Sequence, residues 1–94
     1  IRFHSYVPPR AAFLAGDRLG ILMQVELPAW TTVKPELPIA DFLRREGRRV
    51  IDAFGEHPSF AVLALGNELI GDWDEMHRIL GELRAYDGDR RLYT

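Results

Sequence analysis

Three places along the sequence carry side chains that suit recognition and cleavage of a polyhydroxylated ligand. They hold His4, then Glu26 followed by Trp30, and then the pair Asn67-Glu68. Amide, imidazole and carboxylate groups hydrogen-bond hydroxyls, and aromatic rings cover the C–H faces of a sugar. Cleaving a glycosidic bond needs one carboxyl group to protonate the leaving oxygen and a second to act as nucleophile or base. Glu68 is the best candidate for the first of these carboxyl groups.

Each of these places follows or ends a short apolar segment that is typical of a buried strand. The strands are predicted at residues 1–4, 21–26 and 60–65, and a fourth opens at residues 92–93. Pro8-Pro9 before it and Gly20 after it predict a helix over residues 11–19. Amphipathic spacing predicts helices over residues 40–54 and from Asp72 onward, where Asp72 and Glu75 form a capping box. Such alternation implies a parallel sheet, in which functional groups collect at the carboxyl ends of the strands.

Structural interpretations compete with functional ones at several of these residues. Glu26 either binds a sugar or forms a structural ion pair with an arginine such as Arg2. His4 is either a ligand-binding residue or a hydrogen-bonding residue of the interior. Trp30 lies in a loop over residues 27–38, which has three prolines and exceeds the usual length of about 2–6 residues. It is therefore either a sugar platform or an anchor for that loop.

Composition bounds the class of protein. A chain of 94 residues that is 47% hydrophobic and 28% charged is typical of a globular fold. A net charge of -2 gives no reason to expect nucleic acid as a partner, and no apolar run approaches the roughly 20 residues that span a membrane. There are no cysteines, and the three histidines lack metal-ligand spacing, so we expect neither a metal nor a cofactor. The absence of an initial Met predicts that the natural N-terminus is missing.

Several motifs together resemble glycoside hydrolase family 2, which includes β-galactosidases, β-glucuronidases and β-mannosidases. His57-Pro58-Ser59 followed by Leu65-Gly66-Asn67-Glu68 resembles the HPS…(L/S)GNE signature of that family. Upstream, Arg2 through Tyr6 and Pro8 is similar to its R-x-S-H-Y-P strand end, and Asp17 through Ile21 to its D-E-x-G-(I/L) turn. Downstream, Asp87 with Asp89-Arg90-Arg91 resembles its D-P-(T/S)-R segment. The resemblance covers essentially the whole chain.

The resemblance implies a retaining exo-glycosidase built on a (β/α)8 TIM barrel, acting on a β-galactoside-like sugar. Glu68 would be the general acid/base at the end of barrel strand four, and Asn67 would bind the sugar 2-hydroxyl. His4 and Glu26 would lie in or beside the sugar subsite. The nucleophile of the family is a glutamate at the end of strand seven, about 5–5.5 Å from the acid/base. It would therefore lie outside this chain.

The predicted architecture is α/β, comprising strands β2 to the start of β5 of a TIM barrel with the helices between them. The partners are then a carbohydrate and either the rest of the barrel or a second chain recruited by open sheet edges at residues 1–3 and 92–93. Two alternatives remain open. The chain is a non-catalytic carbohydrate-binding relative, or an excised or designed half-barrel that self-associates and has no activity alone.

Overall fold

A computed structural model describes all 94 residues and shows alternating strands and helices. The helices are α1 (Arg10–Leu19), α2 (Pro38–Phe54) and α3 (Trp73–Asp87). The strands are β1 (Arg2–Phe3), β2 (Met23–Glu26), β3 (Thr32–Val33), β4 (Phe60–Ala64), β5 (Ile70–Gly71) and β6 (Leu92–Tyr93). Gly20 and Gly88 adopt left-handed conformations that end α1 and α3. None of the helices is long and apolar enough to cross a membrane.

The main sheet has four parallel strands in the order β1-β2-β4-β6, which is also their order along the chain. A continuous row of partners, Phe3, Val25, Leu63 and Tyr93, packs toward the helices. One core cluster unites this row with Phe13 of α1 and with residues of α2 and α3. All three helices therefore cover the same face of the sheet.

Close helix packing in that layer depends on small residues. A Cβ atom at Gly47 of α2 would lie 2.5 Å from the Leu83 side chain of α3, so Leu83 packs directly against the backbone of α2 at Gly47. Arg44 of α2 then reaches the buried carboxylate of Glu75 on α3, at 2.8 Å. Asp72 caps α3 by accepting from the Glu75 N–H, as its position predicts. The Glu75 side chain does not complete the capping box, because its carboxylate binds Arg44 and Arg78 instead.

A second sheet of two strands, β3 and β5, was not predicted. It lies within the loop over residues 27–38 and in the segment that follows β4. Each strand is two residues long, which is too short for an alternation of apolar and polar residues to predict it. This small sheet ties the loop that carries Trp30 to the loop that carries Glu68.

At the amino-terminal end of the sheet, Asp17 stabilises the turn that leads into β4. Its carboxylate accepts from the Ser59 N–H at 2.9 Å and contacts Nδ1 of His57 at 2.7 Å. The ring of His57 stacks on Phe13, with centroids 5.4 Å apart. His57 is thus a structural residue at this end, as its place before Pro58 suggests.

The contacts of the Asp17 carboxylate predict that the fold loses stability in acid. Hydrogen bonds from Ser59 and His57 lower the pKa of Asp17 from 3.8 to about 2. A lowered folded-state pKa stabilises the fold above pH 3.8, and the contribution is lost as the pH falls toward 2. We expect Asp17→Asn to be less stable than the parent at neutral pH, with the gap narrowing between pH 4 and pH 2. Urea unfolding across that range measures it, and a gap that stays constant would contradict the assigned contact.

A buried ion pair holds the carboxyl end of α3 to β6. The carboxylate of Asp87 accepts from Nε of Arg91 and from the Tyr93 hydroxyl, both at 2.7 Å. The side chains of Asp87 and Arg91 are 0% and 2% exposed. The guanidinium also lies over the Phe60 ring and donates to the Phe60 carbonyl oxygen. Burial opposes the charge on Asp87, but Arg91 and Tyr93 outweigh it, so the pKa of Asp87 lies below its ordinary value.

Candidate functional site

A chain of hydrogen bonds joins the carboxyl ends of β1, β2 and β4. Nε of Arg2 binds Oε1 of Glu26, and Nη2 of Arg2 donates to Oδ1 of Asn67 at 2.7 Å. The Ser5 N–H donates to Oε2 of Glu26 at 2.7 Å, and the Gln24 amide donates to Oε1 at 3.3 Å. The parallel order of these three strands brings together residues that are up to 65 positions apart.

Glu26 is the centre of this network and is only 1% exposed. Burial opposes its ionisation, but the Arg2 guanidinium and the Ser5 N–H favour the carboxylate, so the pKa of Glu26 lies below its usual value. Of the two alternatives for Glu26, the structure therefore shows the ion pair with Arg2. In this arrangement Glu26 orients Arg2 and, through it, Asn67.

The loop after β4 takes its shape from close contact with the loop after β2. A side chain at Gly66 would meet the carbonyl oxygen of Ala29 at 2.4 Å, and the Asn67 N–H donates to that same oxygen at 2.9 Å. Only glycine fits between them. Glu68 follows in a left-handed conformation with φ of 48°. Such strain in a residue other than glycine is frequent at functional sites.

Asn67 and Glu68 have opposite environments. Asn67 is 8% exposed and its amide oxygen is held by Arg2, whereas Glu68 is exposed to solvent. Glu68 borders an open cavity of about 300 Å³ that is lined mainly by apolar groups, including Leu69 and Trp73. Of the proposed site residues only Glu68 lines this cavity, which lies against α3 and away from the strand-end network. The exposure of Glu68 to solvent is what makes it accessible to a ligand, as a proton donor must be.

His4 and Trp30 form a separate aromatic pair beside the network. Their ring centroids are 5.9 Å apart and the planes meet at 80°. Trp30 is 65% exposed and His4 is also exposed, so neither is a core residue. An exposed indole held edge-on by an imidazole offers a flat apolar face next to polar groups. The structure thus places His4 outside the interior, against the alternative that it is a core residue.

Sequence reasoning missed Gln24 as a member of the network, and it placed Ser5 at the end of the first strand without foreseeing the role of its backbone N–H. Gln24 and Glu26 are two residues apart in one strand, so their side chains lie on the same face of the sheet. This two-residue periodicity is the sequence feature that could have identified Gln24 as a neighbour of Glu26. Ser5 contributes its backbone N–H from a residue with φ of 46°, which no side-chain pattern reveals. No group of three or more His, Asp and Glu side chains converges as a metal site would require.

Comparison with known proteins adds no family to this description. No family model matches the chain, and no curated protein matches it.

Proposed function

We propose that the chain is part of the barrel of a retaining exo-glycosidase, similar to glycoside hydrolase family 2, that acts on a β-galactoside-like sugar. The observation that carries the proposal is the strand-end network of Arg2, Glu26 and Asn67, with the exposed Glu68 directly after it. In this proposal Glu68 is the general acid/base, and the nucleophile is a carboxylate from outside these 94 residues.

The strand order supports a barrel over a doubly wound sheet. In doubly wound folds the strand order reverses at a switch point, and helices cover both faces. Here the four strands follow chain order and all helices lie on one face. Barrels have this arrangement, and their catalytic groups lie at the carboxyl ends of the strands. The side chains of the proposed site lie at that end.

Each side chain of the proposed site has a distinct task. Glu68 protonates the leaving oxygen and later deprotonates the attacking water, since one group serves both steps of a retaining reaction. Asn67 donates its amide N–H to the sugar 2-hydroxyl, because Arg2 already occupies its oxygen. Glu26 fixes Arg2, while His4 and Trp30 offer a polar contact and an aromatic platform for the ring.

Hydrolysis by a protein that contains the complete barrel tests the proposal. Aryl β-glycosides should be cleaved, and proton NMR should show the β-anomer as the first product, because the reaction retains configuration. Release of the α-anomer first would rule out a retaining mechanism. The 94 residues alone should have no activity, because they lack the second carboxylate.

Asn67→Ala provides a more specific test. Hydrogen bonds to the 2-hydroxyl strengthen in the transition state and contribute several kcal/mol in retaining enzymes. We expect the variant to lose about 100-fold in kcat/KM on the parent glycoside, equivalent to about 3 kcal/mol, and far less on the 2-deoxy glycoside. Equal losses on both substrates would show that Asn67 does not bind that hydroxyl.

The second candidate function is carbohydrate binding without catalysis. The ion pair at Glu26 supports it, because a buried carboxylate that is paired with Arg2 is not free to act as nucleophile or proton donor. In such a binding protein Glu68 would only contact the sugar, so Glu68→Gln should lower the affinity for sugar, and there should be no turnover before or after that change.

A further inference from the structure

Trp73 is an exposed aromatic residue that lies close to Glu68 in the chain. It is the first residue of α3 and is 68% exposed, more than any phenylalanine, any tyrosine or the other tryptophan. It belongs neither to the core cluster nor to the partly buried side chains that pack against that cluster. Aromatic side chains with no packing role in the fold are typical of surfaces that contact a ligand. Trp73 is therefore a candidate ligand contact.

The small sheet holds the backbone that leads into Trp73. No side chain would fit at Gly71 of β5, because a Cβ atom there would clash with the Val33 carbonyl oxygen of β3. The Asp72 N–H donates to that same oxygen at 2.8 Å. Within α3, Nδ1 of His77 donates to the Trp73 carbonyl oxygen at 2.8 Å, and the imidazole lies beside the indole with ring centroids 6.5 Å apart. An aromatic ring on a fixed backbone loses little freedom when a ligand binds it.

Glu68 and Trp73 line the same open cavity, which has a volume of about 300 Å³. It is built mainly by one continuous segment, residues 65–80, which runs from the loop after β4 into the first half of α3. Leu69 and Met76 contribute to its apolar wall. Ligand sites have volumes of about 300–1,000 Å³, so this cavity accommodates a small group such as a single ring. The residues of the strand-end network do not line it, so it extends from Glu68 on the side away from that network.

We propose that Trp73 and this cavity bind the leaving group of the substrate, and that the leaving group is aromatic. The inference rests on the proposed function, in which Glu68 protonates the oxygen that joins the sugar to its leaving group. The sugar lies on one side of that oxygen, against Asn67 and the strand-end network, so the leaving group lies on the other side. The cavity occupies that other side of Glu68. The substrates are then glycosides of phenols or of alcohols that carry an aromatic ring.

The chemistry of the wall favours an aromatic ring over a second sugar as the leaving group. A sugar ring carries hydroxyl groups, and burying them without hydrogen-bond partners is unfavourable. Apart from Glu68, the segment of residues 65–80 offers the cavity only one ionisable side chain, His77, and Nδ1 of that ring is already bonded to the Trp73 carbonyl oxygen. An aromatic ring needs no such partners and stacks on the indole.

Cleavage of benzyl and methyl β-galactosides by the protein that contains the complete barrel tests the proposal. Benzyl alcohol and methanol have nearly the same acidity, so the two substrates need the proton of Glu68 equally and differ only in the ring. We expect Trp73→Ala to lower kcat/KM by about 10-fold on the benzyl glycoside and by less than about twofold on the methyl glycoside. Trp73→Phe should keep most of the activity on the benzyl glycoside, because its ring still stacks.

Tyr86→Ala is the matched control, since Tyr86 is an exposed aromatic residue near the other end of α3. That variant should cleave both glycosides as the parent does. Equal losses on the two glycosides in Trp73→Ala, or no loss on either, would overturn the role of Trp73 while the glycosidase activity of the parent stands. A parent that cleaves neither glycoside would instead overturn the proposed function, and this inference with it.

Transfer of the sugar to added alcohols tests the same cavity in the parent, without dependence on the folding of a variant. In the second step the attacking hydroxyl takes the place of the leaving group: its oxygen bonds to the anomeric carbon as the bond to the nucleophile breaks, and its proton passes to the Glu68 carboxylate. With benzyl alcohol and methanol at equal concentrations, we expect about 10-fold more benzyl than methyl glycoside. Equal yields of the two glycosides would contradict an aromatic site beside Glu68.

Discussion

Replacement of Glu68 by Gln in the complete barrel should lower kcat/KM by about 10²- to 10⁴-fold on glycosides with poor leaving groups, which is the usual contribution of general acid–base catalysis. On activated aryl glycosides the first step needs little protonation, so its rate should fall much less. The second step still needs a base to activate water, so the glycosyl-enzyme should accumulate. Added azide, which attacks without a base, should restore turnover and yield a glycosyl azide.

Initial rates on a matched series of aryl glycosides measure this difference between the substrates. Glu36→Gln is the control, because Glu36 is an exposed carboxylate in the connection between β3 and α2. That variant should keep its activity on every substrate. If Glu68→Gln loses the same factor on good and poor leaving groups and azide has no effect, Glu68 does not transfer the proton. The role of Glu68 would then be in binding or in the structure of its loop.

Asp87→Asn should be the most destabilising single change among the charged residues. It removes the charge that balances the buried Arg91 guanidinium, and an uncompensated buried charge costs about 3–5 kcal/mol. Small domains have a free energy of unfolding of only about 5–15 kcal/mol, so the variant should be largely unfolded at modest temperatures. The expected loss in melting temperature is about 4–8 °C per kcal/mol for a domain of this size.

Asp89→Asn is the matched control for this measurement. Asp89 pairs with Arg84, but these side chains are 61% and 60% exposed, and exposed pairs contribute about 0–1 kcal/mol. Asparagine also tolerates the left-handed conformation of residue 89, where φ is 60°. Urea unfolding of both variants, at a concentration where the parent is a single species, compares them directly. Similar losses would show that the Asp87 cluster does not hold α3 to β6.

Local features of the chain were determined by the sequence. Apolar runs predicted β2 and β4 to within about two residues at their ends, the flanking Pro9 and Gly20 predicted α1, and amphipathic spacing predicted α2 and α3. Gly20 and Gly88 end their helices, and Asp72 caps α3, because these effects involve only neighbouring residues. Alternation of strands and helices predicted the parallel sheet, since a crossover helix returns the chain in the same direction. The carboxyl ends of the strands were therefore predictable as the place of Glu26, Asn67 and Glu68.

Contacts between distant segments were decided only by the tertiary structure. Arg2 meets Glu26 and Asn67 because β1, β2 and β4 are neighbours in the sheet, and strand order is a property of the packed chain. The β3–β5 sheet forms because the loops that follow β2 and β4 leave the main sheet at the same end and lie side by side. Neither loop has strand character of its own. Glu75 leaves its capping box because α2 brings Arg44 within reach of its buried carboxylate, while the Asp72 N–H that the box would use donates to the Val33 carbonyl oxygen of β3. In each case the partner is chosen by proximity in space, which a local pattern does not encode.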